Sequence, residues 1–178
     1  SVLDEWDAEQ IGQASDWAMV STGTNHAAAV KADGSLWVWG QNPDGALGVD
    51  VRQDTSLPTR LGEDGDWATV SAGRATLGPS SWPWDSQVFT LAVKKDGTLW
   101  AWGDNAFGRL GDGTTSTRTS PTRIGTDSTW SQVLAGATHA LGVKGDGTRW
   151  AWGEGASGQL GDGSPHAFPL PARVGNDS

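Results

Sequence analysis

Apolar positions along this chain fall in short runs of strand length, and each run is cut off by Gly, Asp, Asn or Pro. The pattern repeats. Trp-X-Trp-Gly occurs at 37–40, 100–103 and 150–153, at intervals of 63 and 50 residues, and a second marker, Trp17, Trp67 and Trp130, is spaced by 50 and then 63. The underlying period is 50, with 13 extra residues in the middle copy. The ungapped match of 67–73 and of 94–102 with their counterparts confines the extra residues to 74–86. Self-similarity at such a period marks an architecture that uses one supersecondary unit several times.

Each period predicts four strands. The first begins at Trp-X-X-Val, as in 67–72, and closes on Gly23, Gly73 or Gly136. The second, at 27–31, 90–94 or 140–144, runs into Asp33-Gly34, Asp96-Gly97 or Asp146-Gly147. Asp-Gly is a strong hairpin signal because it supplies the positive φ angles of a two-residue turn. The third strand is the Trp-X-Trp-Gly run. The fourth follows a glycine-rich connection and carries Pro-X-Arg-aliphatic-Gly at 58–62, 121–125 and 171–175; proline, which cannot donate to a ladder, suits an outer edge. In the third strand both tryptophans point to one face while Leu99 and Ala101 point to the other, because side chains alternate. A sheet apolar on both faces must be covered on both, which is the situation of a propeller blade. The expected fold class is all-β, a β-propeller of three four-stranded blades. Residues 1–16 form an outer-strand closure segment, 17–66 the first blade, 67–129 the second with its insertion at 74–86, and 130–178 the third.

Composition agrees. Among 178 residues there are 26 Gly, 12 Trp, 3 Phe, 1 Met and no Tyr, so bulk comes from indole rings set among small residues. The net charge is −9, and Lys94-Lys95 is the one adjacent basic pair, so a polyanion finds no basic stripe to follow. No nucleic acid partner is expected. The absence of cysteine excludes disulfides and thiolate metal sites and suits a cytoplasmic or a bacterial secreted protein equally. No apolar stretch approaches the roughly 20 residues of a membrane span, so no membrane partner is expected either. The start, Ser1-Val2-Leu3-Asp4, has no signal-peptide pattern and no initiator Met, which leads us to expect a processed or excised chain.

Taken together, Trp67-X-X-Val70-Ser-Ala-Gly73, His139-Ala-Leu141, Asp96-Gly-Thr-Leu-Trp-Ala-Trp-Gly103, Asn105-X-X-Gly108-X-Leu-Gly-Asp-Gly113 and Pro121-X-Arg-Ile-Gly125 resemble the regulator of chromosome condensation repeat, especially its bacterial forms. The resemblance covers residues 11–175 in three copies. It implies a propeller. It implies no single function, since the family includes nucleotide exchange factors, enzyme inhibitors and scaffolds.

Members of that family typically have seven blades, and closed propellers have about four to eight, so three blades leave two apolar flanks bare. Two completions are expected. The chain is a segment of a longer propeller, or two copies meet head to tail in a six-bladed homodimer, blade three of each against blade one of the other. The homodimer is preferred, because bare Trp-lined flanks would otherwise aggregate. The segment Glu9-Gln-Ile11-Gly12 repeats the outer-strand motif Thr122-Arg-Ile124-Gly125, which fits either strand exchange or an array cut within a repeat.

Nine tryptophans repeat in register and have a packing role: Trp17, Trp67 and Trp130 in first strands, and Trp37, Trp39, Trp100, Trp102, Trp150 and Trp152 in third strands. Trp6 is read as a cover for the N-terminal strand. Trp82 and Trp84 flank Pro83 inside the insertion and have no repeat counterpart. The insertion joins the first two strands of blade two, so it should stand on one face of the disc beside the loops containing Asn25 and Thr138, where a rigid scaffold commonly presents its binding residues. The expected binding set is Trp82, Trp84 and Asp85 with Arg74, Asn25 and Thr138 around them; the structural alternative has the Trp pair plugging the channel or filling a dimer seam.

The remaining motifs read as architecture. His26 and His139 are equivalent, and Phe89 replaces them in blade two, an exchange that points to packing with one ring nitrogen satisfied. His166 stands alone. Gly-Asp-Gly at Asp112 and Asp162, with Asp104-Asn105, looks like pieces of a calcium loop but lacks its spacing and distant Glu. No metal and no cofactor is expected. Arg60, Arg123 and Arg173 recur in the outer strand and are read as pairing with acidic neighbours. Nothing assembles a nucleophile, base and orienter, so no catalytic residue is assigned and the chain is not expected to be an enzyme.

The leading expectation is a protein-interaction propeller. A carbohydrate-binding propeller is the second, because paired aromatic faces stack on sugar rings and Asp85 could accept from hydroxyls. A purely structural half-propeller or fragment is the third. Nucleotide exchange, known for some members of the family, does not follow from repeats alone.

Overall fold

The computed structural model describes residues 13–49, 52–74 and 87–175. Trp6, the segment at 9–12, and the insertion residues Trp82, Trp84 and Asp85 lie outside them. The described residues form three antiparallel sheets of four strands, each taken in chain order. The first holds β1 (Trp17–Thr22), β2 (His26–Lys31), β3 (Leu36–Gly40) and β4 (Thr55–Arg60); the second β5 (Trp67–Ala72), β6 (Phe89–Lys94), β7 (Leu99–Gly103) and β8 (Arg118–Arg123); the third β9 (Trp130–Ala135), β10 (His139–Lys144), β11 (Arg149–Gly153) and β12 (Phe168–Val174). Among these residues the one helical feature is a 3-10 turn, Ala106–Gly108, and no helix is long and apolar enough to cross a membrane.

Local chemistry explains each repeated motif. At the β6–β7 hairpin, Asp96 Oδ1 accepts from both the N–H and the hydroxyl of Thr98, and Thr98 Oγ1 accepts from the Trp100 indole, at 3.0, 2.7 and 2.9 Å. Asp33, Ser35 and Trp37 form the same chain in the first blade, and Asp146, Thr148 and Trp150 in the third. These bonds hold the Asp33, Asp96 and Asp146 carboxyls below their ordinary pKa, with the Ser or Thr hydroxyl as the main cause. The glycine after Trp-X-Trp is obligatory at Gly103: its φ is +100°, and a Cβ there would lie 2.6 Å from the Val88 carbonyl oxygen. In the first strand Trp and Val are three residues apart and would face opposite ways in a regular strand. A bulge between Trp67 and Thr69, matched between Trp17 and Met19, brings Trp67 and Val70 to the same face.

The cores lie between sheets rather than within one. One face of each blade, here called forward, is turned to the following blade, and the rear face to the preceding one. Ala28, Val30, Leu36, Val38, Leu47 and Leu61 of blade one meet Trp67, Val70, Ala92 and Trp102 of blade two in one buried cluster. Leu91, Val93, Leu99, Ala101, Leu110 and Ile124 of blade two meet Trp130, Val133, Ala140 and Trp152 of blade three in another. Trp102 and Trp152 are fully buried. Burying an indole removes about 150–250 Å² from water, an upper figure of about 4–6 kcal/mol in transfer free energy.

Each junction is also pinned by polar contacts. The Trp102 indole donates to the Ala46 carbonyl at 2.8 Å and the Trp152 indole to that of Arg109 at 2.9 Å. Ala72 N–H donates to Ser21 Oγ at 3.0 Å, and Ala135 N–H to Ser71 Oγ at 2.9 Å. Trp67 N–H reaches the Gly34 carbonyl and Trp130 N–H that of Gly97, at 3.1 and 3.0 Å.

Candidate functional site

The connections between first and second strands of the three blades lie at one end of the sheets. Each is closed by a glycine N–H donating to the first residue of the next strand: Gly23 to His26, Gly73 to Phe89 and Gly136 to His139, at 2.8, 2.8 and 2.9 Å. The carbonyls of Asn25, Val88 and Thr138 accept from the residues after the third strands, Gln41, Asp104 and Glu154, at 2.8, 2.9 and 3.0 Å. Asn25 and Thr138 therefore hold equivalent places, and their backbones bind their own blades. Arg74, at the root of the insertion, is exposed, and its N–H donates to the Gly136 carbonyl of blade three at 3.1 Å. Arg74 and Thr138 thus stand on adjoining loops.

A residue that sequence reasoning passed over holds this end together. Arg109 is fully buried. Its Nε donates to Ala106 O at 2.9 Å, and its Nη1 to Gln87 O at 2.9 Å and Ala137 O at 3.2 Å, while Asp104 pairs with it at 3.2 Å. One guanidinium therefore ties the β7–β8 loop, the second root of the insertion at Gln87, and the β9–β10 loop of the next blade. Burial draws its pKa down, against the opposing pull of Asp104, Glu154 and Asp44. Gln87 has φ 35° and Phe107 φ 61°, left-handed values that non-glycine residues adopt at a cost. Phe107 is 48% exposed, with its ring 6.0 Å from the Arg109 guanidinium. The repeat places Ala46 and Gln159 where Arg109 stands, and Asp44 and Ser157 where Phe107 stands. That departure from the repeat was the available signal.

The histidines differ in setting. His26 Nε2 lies 3.0 Å from Thr90 Oγ1, which donates to Ala46 O at 2.7 Å, and burial pushes the His26 pKa down to about 4. His26 is thus neutral and packed in the first junction. His139, on the forward face of blade three, is half-buried, and burial lowers its pKa while Glu154 opposes.

At the opposite end of the sheets each blade holds a lysine over two indoles. Lys31 lies 4.9 and 4.8 Å from Trp17 and Trp37, Lys94 4.8 and 5.0 Å from Trp67 and Trp100, and Lys144 5.0 and 3.8 Å from Trp130 and Trp150. Aspartates complete each cluster: Asp16 with Lys31 at 3.0 Å, Asp64 and Asp66 with Lys94 at 2.7 and 3.0 Å, and Asp127 with Lys144. Burial opposes the Lys94 charge, but the two aspartates outweigh it and hold its pKa above the ordinary value. The Lys144 ammonium, chiefly, and the Thr129 hydroxyl hold Asp127 down at about 2.

The arginines of the outer strand make local contacts: Arg60 donates to Glu63 O at 3.0 Å and pairs with its carboxylate at 3.6 Å, and Arg123 donates to Thr126 O at 3.2 Å. In the glycine-rich loop, Asp112 accepts from Thr114, Asn105 and Arg118, so its oxygens organise the turn. Among the described residues no group of three His, Asp or Glu side chains is placed to hold a metal ion.

Comparison with known proteins follows the same lines. The model of the regulator of chromosome condensation (RCC1) repeat matches residues 33–76 and 96–143, just over half of the chain. The ultraviolet-B receptor UVR8 of Arabidopsis thaliana is 31% identical over 125 residues, 69% of this chain and 26% of the receptor. The human E3 ubiquitin-protein ligase HERC2 is 31% identical over 94 residues, 53% of this chain and 2% of the ligase. Human WBSCR16 superimposes with a TM-score of 0.74 at 24% identity, over 93% of this chain and 40% of that protein. Yeast RCC1 (Prp20), solved bound to Kap60, superimposes with a TM-score of 0.71 at 22% identity, over 89% and 37%. The chain thus spans about a quarter or less of these curated relatives. The three sheets are blades of a β-propeller, and the chain belongs to the RCC1 repeat family.

Proposed function

We infer that this chain is a binding module for another protein, engaged through the loop end of its second blade, with Trp82 and Trp84 as apolar anchors and Asp85, Arg74, Asn25 and Thr138 around them. The observation that carries this reading is the concentration of departures from the repeat at that end: the insertion, Arg109 clasping its root, and Phe107 displayed beside it. The nine tryptophans that pack within and between the blades recur in all three copies; these departures do not. Tryptophan dominates interface hot spots because a large, stiff, amphipathic ring buries much area at little entropic cost, and Pro83 between the two stiffens the pair further.

The solved relatives give the reading a precedent at the level of the fold. Yeast Prp20 was crystallised with Kap60, and a second structure of it is described together with its binding to Gsp1p and histones. Binding, not catalysis, is accordingly the role assigned here. The test starts with a photocrosslinking residue at position 84 in cells, which identifies the partner. Affinity is then measured with purified proteins: W82A/W84A weakens binding at least tenfold while the melting temperature stays within about 2 °C, the shift of a surface change. Unchanged affinity overturns the assignment.

A further inference from the structure

We propose that the two grooves between adjacent blades inside the chain each bind a neutral pyranose sugar, at the end of the sheets remote from the loop-end interface assigned above. The first groove, of about 350 Å³, lies between blades one and two. Leu61 and Asp64 line it from one side of the junction, and Trp67, Trp100, Ser120 and Pro121 from the other. The second, of about 240 Å³, repeats the first one blade further on, with Ile124, Asp127, Trp130, Trp150, Leu170 and Pro171 in the equivalent places.

What singles these grooves out is a donor left over from the packing. The third-strand tryptophans of blades two and three all have acceptors: Trp100 and Trp150 donate to Thr98 and Thr148, and Trp102 and Trp152 to the Ala46 and Arg109 carbonyls. Trp67 differs. It is 3% exposed, and its indole N–H is buried without an acceptor, although a buried indole N–H is ordinarily paired. Trp130, its equivalent, shows how such a ring is turned. A Cβ on Gly142, in β10 of the same sheet, would lie 2.6 Å from Trp130 Cζ3. The benzene edge of that indole therefore rests on its own sheet, and the pyrrole edge, which carries the N–H, is directed away from β10.

A pyranose supplies what this surface lacks. Its C–H groups form an apolar face that packs on an indole or a prolyl ring, and each of its hydroxyls both donates and accepts. Half-buried Trp100 and Pro121 offer the apolar contact. One hydroxyl oxygen accepts from the Trp67 indole, and another hydroxyl donates to Asp64. The Asp64 carboxylate is held in place by Lys94 at 2.7 Å, and a carboxylate has about four acceptor positions. The size is right too, since small-molecule sites begin at about 300 Å³. A proline-rich strand would also pack on Trp and Pro, but its prolines bring no N–H for Asp64, and the two grooves stand a blade apart instead of forming one track. An acidic sugar is excluded by charge, because Asp64 and Asp66 outnumber Lys94 at this rim. Ser120 in the first groove is replaced by Leu170 in the second, so the first, roomier and with one more hydroxyl, is the tighter site.

The test follows the tryptophan indole N–H resonances of the full chain by NMR. The probes are the methyl pyranosides of glucose, galactose, mannose and N-acetylglucosamine, each added to about 50 mM, which fills a site of about millimolar Kd. At least one of them is expected to shift the Trp67 and Trp100 resonances saturably, with Trp130 and Trp150 following at higher concentration. Asp64→Ala removes a side chain that is 57% exposed and leaves Lys94 paired with Asp66, so the fold stays intact by circular dichroism. It should weaken binding about tenfold or more, the loss of one hydrogen bond to a charged acceptor. Ser120→Leu, which keeps every charge, should weaken the first groove to the level of the second. The proposal is overturned by the absence of saturable shifts with all of these glycosides, or by an affinity that either variant leaves unchanged. It is equally overturned if an oligoproline peptide moves the Trp67 and Trp100 resonances and the glycosides do not.

Discussion

The second blade and its two neighbours are built from the same motif, yet among the described residues only the second is covered on both faces. Val70 and Val20 follow the same tryptophan by the same three residues across the same bulge, and their burial is opposite. Trp67 and Trp102 are buried, while Trp17 and Trp39 are half-covered. The lesson is that a blade of this kind does not possess a core. It possesses two half-cores, each completed by another sheet, so stability resides at junctions and is nearly a sum over neighbours.

The sharpest way to break that comparison is one substitution made twice. Val70→Asp strands an unpaired carboxylate in the first junction and should cost at least about 5 kcal/mol, enough to unfold the chain. Val20→Asp, on an exposed side chain, should change stability by no more than about 0.5 kcal/mol. Urea titration of both variants reads the difference, and equal effects would show that blades one and two are stabilised alike. Next in size is Arg109→Ala. It strips the charge partner from Asp104 and leaves the Gln87, Ala137 and Ala106 carbonyls without their donor, for an expected loss of about 4 kcal/mol. Gln159→Ala, the same position on the open flank, should be nearly silent in the same titration.

Acid sharpens the comparison from another side. The folded-state pKa of His26 is about 4 and the ordinary value 6.5, so the unfolded chain takes up the proton first. Stability is therefore full above about pH 6.5 and falls as pH drops toward 4, by up to about 3 kcal/mol. His26→Phe, which copies Phe89 of blade two, should flatten that window when unfolding is measured at pH 7 and pH 4.5. The carboxylates held low, such as Asp127, act below it. Smallest is Lys94→Ala, which removes the cation from two indole faces and from Asp64 and Asp66, for about 1 kcal/mol by the same titration.

Much of this was legible in the chain. The Trp-X-Trp-Gly, Asp-Gly and Pro-X-Arg motifs each carry a local reason, a forced glycine, a capped turn or an edge strand, and local reasons survive translation from sequence to fold. The exchange of His26 for Phe89 announced packing for the same cause. The rest depended on what lies across a junction. Arg109 reads in sequence as one variable position in a glycine-rich loop, and only the meeting of three loops makes it a clasp. Lys31, Lys94 and Lys144 recur as plainly as the tryptophans, but their stacking needs the register of the second strand against the first and third. The exposure of Val20 and Leu141 is invisible to any motif, because the motif is identical where the neighbour is present.

Amide hydrogen exchange on the chain measures the contribution of neighbours directly. Our account predicts the slowest exchange in β6, which is covered on both faces, and faster exchange in β2 and β10, each covered on one. Equal protection of the three strands, or greatest protection in β10, would contradict it.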